Sequence, residues 1–312
     1  MADHESLAAT YAQARSRGAL LDLSDRAKWR LSGADRVRYL NGQVTNDIRR
    51  LPPGGALAAC VTTAKGRLSG LVFISAASDF LRIDAEPGLR ESLTARLERY
   101  IIADDATLED TTEAECLFHL LTPGASAAAP AGWESRSVTR FARPGLDVIA
   151  PRAEYAQVLA ALSAGPVLIP APLAETLRIE AGVPRWGAEL SEETLPPEAN
   201  LEATAIDYHK GCYIGQEVIS RIKSVGHVNR RLAGFTASSA LAPGLTLHPD
   251  ADPGKTAGEI TSAAWSFGLE SWAALGYLKR GFADGALHAR SPDGAAIAVK
   301  IRDLPLVPTI AP

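Results

Sequence analysis

Apolar residues recur along the chain in two rhythms, three-and-four apart in some stretches and every second position in others. These predict packed helices interleaved with short strands. Residues 7–21 read as a short amphipathic helix ending near Gly18. At 29–35 strand-like residues give way to a helix start. Val37, Leu40 and Val44 then share one helical face, closed by a polar turn at 41–47. Leu51, Pro52, Pro53, Gly54 and Gly55 form a break. Strand-like runs follow at 56–62 and 68–75, joined by Thr63-Ala64-Lys65-Gly66-Arg67, the length and chemistry of a hairpin connection. A third run at 80–85 is able to pair with them. Pro87 and Gly88 open a helix with Leu89, Leu93, Leu97, Tyr100 and Ile101 on one face; Pro near N1 and Glu91 in the first turn support that start.

Short strands are predicted at 106–109, 116–121, 135–141 and 146–150, with an Ala/Pro/Gly-rich surface loop at 122–132. Tyr155, Val158, Leu159 and Leu162 form another helical stripe, and a helix at 174–181 ends at Gly182 with Pro184 beyond it. The connection 185–197, with Glu189, Glu192 and Glu193, reads as a solvated loop. After Gly226 and His227 the helical period vanishes. Short runs at 231–235, 258–262, 273–278 and 296–301 alternate with Gly/Pro/Asp turns, the signature of a small antiparallel barrel. The order is α+β rather than repeating βαβ. It divides the chain into units 1–230 and 231–312.

Just before that change lies Lys210-Gly211-Cys212-Tyr213-Ile214-Gly215-Gln216-Glu217. Val218, Ile219, Ile222 and Val225 after it make one apolar stripe, which puts Gly215 near an N-cap. Glu217 falls in the first turn, where the helix dipole favours a carboxylate, and stands i, i+4 to Arg221. Lys210 and a helix N-terminus beside Cys212 are both features that lower a thiol pKa. Spacing alone leaves two readings open: a core-packed turn with Cys212 as a small hydrophobe, or a reactive site. Glu180, at the end of its helix, is equally open. An exposed helix glutamate needs no role, whereas one aimed into a pocket accepts two hydrogen bonds from an aminopyrimidine edge.

Composition narrows the function class. The 312 residues are 46% hydrophobic and 22% charged with a net charge of −4, an ordinary globular profile that advertises no basic surface for nucleic acid or anionic lipid. No apolar run approaches a membrane span, and Asp3, Glu5, Arg15 and Arg17 are unlike a secretory signal. Cys60, Cys116 and Cys212 are odd in number and widely separated, which fits a reducing cytoplasm and no disulfide framework. The six histidines show no metal-ligand spacing, so no metal site is expected. There is no GxGxxG after a strand, no Walker loop and no GxSxG elbow.

The octapeptide resembles the signature of the YgfZ family, folate-binding relatives of the glycine-cleavage T-protein (aminomethyltransferase). Leu31-Ser32-Gly33-Ala34-Asp35 followed by 39–47 looks like that family's first block. Thr63 to Arg67 looks like its second, and Arg178-Ile179-Glu180-Ala181-Gly182-Val183-Pro184 with Gly187-Ala188-Glu189-Leu190 like its third. The resemblance implies a T-protein-like folate-binding core of antiparallel sheets with packed helices, its two subdomains around a central pocket, then a small C-terminal barrel. It implies tetrahydrofolate or a derivative as cofactor, a role in assembling or repairing iron–sulfur enzymes, and client or assembly proteins as partners. Glu180 would contact the pterin. Cys212, Lys210 and Tyr213 would form the functional face, with Gln216, Glu217 and Arg221 on the cofactor and Arg221 and Arg230 available to its anionic tail. T-proteins carry an acidic pair in the strand after the second block; here Ser69-Gly70 stands there. That argues against classical aminomethyl transfer. The alternative function is a folate-dependent aminomethyltransferase or demethylase using other residues.

Overall fold

The computed structural model describes residues 4–51, 54–122, 132–282, 285–291 and 294–307. Residues 123–131 of the expected surface loop, Pro52 and Pro53 of the break, and the side chain of Val225 lie outside the described residues. Two five-stranded sheets and a closed six-stranded antiparallel barrel carry the fold. The α+β core followed by a barrel is as expected.

The first sheet runs Val167–Leu168, Ala19–Asp22, Glu115–Leu121, Pro144–Pro151, Glu134–Thr139. The second runs Ala56–Thr62, Leu68–Ala76, Phe80–Ala85, Ala27–Ser32, Thr107–Asp110. The 63–67 connection is the hairpin turn its length indicated, and Ala59, Val61, Val72 and Ile74 alternate inward against Leu89, Leu93 and Leu97 of the helical segment after Pro87. The first helix, His4–Arg17, ends at Gly18 as expected, though it starts before Leu7. Gly18 takes φ 97° and the apolar residues Ala19 to Leu21 enter a strand instead. The barrel strands are Arg230–Ala237, Ser271–Lys279, Gly258–Ser266, Thr246–Pro249, Leu287–Arg290 and Ala296–Arg302.

The two sheets meet through charge. Asp84 accepts from Arg26, Arg136 and Arg140, while Asp147 accepts from Arg136, Arg140 and His119. The side chains of Asp84, Asp147, Arg136 and Arg140 are each 4% exposed or less. Burial works against both carboxylates, yet Arg140 and its neighbours hold them well below the usual carboxylate range.

One part of the solvated-loop expectation needs correction. Glu192 and Glu193 are exposed, but Glu189 is buried. Its carboxylate accepts from Arg178 at 2.9 Å, from Thr261 Oγ1 at 2.8 Å, from Ser262 Oγ at 2.6 Å and from the Arg185 N–H at 3.0 Å. Tyr277 Oη donates to its backbone carbonyl at 2.8 Å. A polar run thus fastens itself to the barrel by one inward-facing acid.

Candidate functional site

The signature residues are held by the two blocks that precede them in sequence. Thr45 Oγ1 donates to Ala205 O at 2.5 Å and accepts from the Cys60 N–H at 2.9 Å. The Asp207 N–H donates to Thr45 O, and the Ile214 N–H to Gly42 O. Thr62 Oγ1 donates to Ile214 O at 2.5 Å. Gly215 is the N-cap of the helix Gln216–Val225, as expected, at φ 90°. A Cβ there would lie 2.5 Å from Thr63 O and 3.1 Å from the Gly66 Cα. Two glycines from distant blocks therefore let two backbones touch. Gly215→Ala should cost about 1–3 kcal/mol from the left-handed backbone alone, before any clash; the midpoint of urea unfolding reads it, and an unchanged midpoint would mean the contact is slack.

Lys210 is not the free cation beside a thiol that the sequence suggested. Its ammonium is buried and donates to three backbone carbonyls, Asn41 at 2.7 Å, Val44 at 2.6 Å and Asn46 at 2.8 Å. Burial lowers its pKa to about 8, against the opposing pull of Asp47 and Asp207. Asp47, bound by Arg49, drops to about 2. Tyr213 packs with Ile206 and Ile219, and its buried hydroxyl has no hydrogen-bond partner among the described residues. Burial pushes that phenol up to about 12. Cys212 is an exposed free thiol, whereas Cys60 and Cys116 are buried. Gln216 is half-buried; Glu217 and Arg221 are exposed, and no ion pair joins them. So the structure ties Lys210, Tyr213 and Ile214 into one knot and leaves Cys212, Glu217 and Arg221 exposed beside it. Only the thiol and the helix face are open to a partner.

A separate cavity of about 660 Å³ opens between the sheets and the 171–190 segment. Leu71, Phe73, Phe141, Ile169 and Trp186 supply apolar wall, and Asp22, Asp25, Glu86 and Glu175 supply carboxylates. None of the seven predicted site residues lines it. Glu180 lies elsewhere, buried against the first helix and the barrel. It accepts from Tyr11 Oη at 2.9 Å and Ser266 Oγ at 2.6 Å, and burial raises its pKa. Arg230, expected to be available to a tail, pairs with Glu198 at 3.1 Å and stacks on Tyr277. The cavity acids went unread because a charged residue in a short apolar run looks like a solvent-facing position. The one signal was Glu86 at the end of the strand-like run 80–85, since Asp22 and Asp25 follow a stretch that reads as helix.

One hairpin serves both places. Leu71 and Phe73 of the strand Leu68–Ala76 border the cavity, and the paired strand Ala56–Thr62 carries Cys60 and the Thr62 hydroxyl that holds the signature loop. Ser69 sits at an irregularity of the strand pair, between the Val61–Gly70 and Thr62–Leu68 partners. A Cβ on Gly70 would come 3.0 Å from Leu93 Cδ1, so an acid there would enter the apolar core. No group of three or more His, Cys, Asp or Glu among the described residues is arranged to hold a metal ion, and no helix there is long and apolar enough to cross a membrane.

No protein-family model matches the chain. It is 27% identical to a chloroplastic putative transferase of Arabidopsis thaliana over 84% of its own length, and spans 65% of that protein. A solved structure with the same fold is glycine cleavage system aminomethyltransferase T from Bartonella henselae, with TM-score 0.85 at 16% identity over 96% of this chain and 89% of that one. The tRNA-modifying protein YgfZ of Serratia proteamaculans is 27% identical over 90% of this chain and 91% of its own. That of Pectobacterium atrosepticum is 31% identical over 74% and 73%. With the signature, the blocks that fold around it and the T-protein architecture all present, the chain belongs to the YgfZ family.

Proposed function

We propose that the protein binds tetrahydrofolate or a derivative in the 660 Å³ cavity and supports the assembly or repair of iron–sulfur enzymes in the cytoplasm, with Cys212 as its working thiol. The observation that carries this reading is the shared hairpin: one of its strands borders the ligand-sized cavity, and the other, through Thr62, holds the loop that carries the exposed Cys212. The cavity's size lies within the usual range for small-molecule sites. Its residues fit a reduced pterin: a flat ring rich in N–H donors suits carboxylates set in an aromatic and aliphatic wall. Asp22, Asp25, Glu86 and Glu175 are those carboxylates, and Phe73 and Trp186 border the ring's space. Glu180, with its oxygens already engaged, would act by fixing the helix Ala171–Glu180, whose Glu175 and Arg178 face the cavity.

The thiol's part is nucleophilic or ligating. A single cysteine supplies one ligand where common clusters need about four, so a client protein would provide the rest. Without a carboxylate at 69–70, aminomethyl transfer lacks the acid that T-proteins use. The folate-dependent transferase remains the second reading, and the name of the plant relative is what favours it.

The test has two arms. Calorimetric titration with tetrahydrofolate should show saturable binding to wild type and to Cys212→Ala alike, and weaker binding to Glu175→Gln. In a strain lacking the gene, wild type should restore iron–sulfur enzyme activity and Cys212→Ala should not. Full restoration by Cys212→Ala would remove the thiol from the function. Accumulation of methylene- or methyl-tetrahydrofolate from an amine donor would move the protein to the transferase reading.

A further inference from the structure

Among the described residues three large hydrophobic side chains are exposed, Tyr100, Ile102 and Leu168. Leu168 belongs to the edge strand of the first sheet. The other two stand together after the helix Arg90–Glu98, with Ile102 86% exposed. A single surface hydrophobe needs no explanation, but this pair is joined to the signature. Arg96 lies 4.3 Å from the centre of the Tyr100 ring and donates to Gln43 Oε1 at 2.9 Å and to Thr62 O at 3.0 Å. Gln43 follows Gly42, whose carbonyl accepts from the Ile214 N–H, and the Thr62 hydroxyl holds the Ile214 carbonyl. One arginine thus connects the exposed pair to the frame of the loop that carries Cys212. Charge marks the same segments. The chain has a net charge of −4, yet 41–50, 63–67, 96–102 and 210–225 each hold more cations than acids. Lys65, Arg99 and Arg221 are exposed and form no ion pair among the described residues.

We infer that Tyr100, Ile102 and the cations Lys65, Arg99 and Arg221 form a docking surface for the cluster-binding face of an iron–sulfur client protein, which they hold beside Cys212. This rests on the iron–sulfur reading above and adds where the client sits. The occupant follows from chemistry. A cluster held by cysteine thiolates is anionic as a whole, and an empty site presents the thiolates themselves. A cation-rich surface complements both and steers the encounter. An aromatic ring and an aliphatic side chain supply the apolar contact found at interface centres. A thiol that gives one ligand needs its partner held in register, which a lone exposed cysteine does not do. RNA fits the surface less well. Glu98 and Glu217 are exposed among the cations and repel phosphate, and an exposed isoleucine does nothing for phosphate binding.

The probe is the [4Fe–4S] enzyme whose activity falls most in a strain lacking the gene, purified anaerobically without its cluster. Wild type and Cys212→Ala should bind it alike in biolayer interferometry. Ile102→Asp should weaken binding at least about 10-fold, the scale of a hot-spot residue. Lys65→Glu combined with Arg99→Glu should do the same and reduce the salt dependence. These variants should keep the wild-type unfolding midpoint and tetrahydrofolate affinity, since the positions are exposed and outside the cavity. Wild-type affinity of Ile102→Asp for the cluster-free enzyme would overturn the surface while leaving the folate and thiol readings intact. If wild type fails to bind that enzyme, the docking falls as well, and the thiol reading is decided by the complementation with Cys212→Ala alone. Binding of unfractionated tRNA that the charge reversals abolish and Ile102→Asp spares would overturn the protein client in favour of RNA. Self-association in sedimentation that Ile102→Asp abolishes would overturn it in favour of a second copy of this chain.

Discussion

Replacing Asp84 with alanine should destabilise the protein by about 3–5 kcal/mol, the cost of leaving buried charge without its partner. Three guanidinium groups converge on that carboxylate, from Arg26, Arg136 and Arg140. Asp147 cannot take over, because it already accepts from Arg136, Arg140 and His119. Urea unfolding measures the loss, and a shift below about 1 kcal/mol would mean that water reaches the arginines and replaces the acid. The same network sets the response to acid. Both aspartates are held below the ordinary carboxylate value of about 3.9, so the unfolded chain takes up protons before the folded one. Their contribution is complete above that value and is lost as pH falls through it toward the depressed folded values. Unfolding midpoints should therefore be steady down to about pH 5 and decline below about pH 4, and Asp84→Ala should flatten that decline.

Lys210→Met should cost about 3 kcal/mol or more, since the buried carbonyls of Asn41, Val44 and Asn46 would each lose a donor, at about 1–3 kcal/mol apiece. Cys212→Ala, at an exposed position, should leave the unfolding midpoint near that of wild type. The comparison separates two meanings of the octapeptide. If Lys210→Met kept the wild-type midpoint and still failed to support iron–sulfur enzymes, the lysine would be a chemical residue rather than a staple. Loss of both stability and function is the expected outcome.

Periodicity made the central hairpin legible. Leu68–Ala76 alternates over most of its length, Ala56–Thr62 is a short apolar run, and the turn between them carries Gly66. Proline and an early acid announced the helix after Pro87. The strands Val167–Leu168, Thr246–Pro249 and Leu287–Arg290 went unread because two to four residues are too few to show a period and are chosen by their partners. The signature's importance was legible from its blocks, but the direction of its lysine was not. A residue name gives a charge, and only the surrounding carbonyls show that the charge points inward. Buried Asp84, Asp147 and Glu189 pose the same problem: each is a bare acid in the sequence until an opposing arginine, 11 to 52 residues away, is in place.

The anchoring of Glu189 has an engineering consequence. The segment it pins to Thr261, Ser262 and Tyr277 carries Trp186 and Leu190, both cavity-lining residues. The barrel is therefore a buttress for one side of the cavity rather than a detachable appendage. A graft that swaps the last eighty or so residues for a homologous barrel must carry the 185–190 loop with it, because loop and barrel are two halves of one joint.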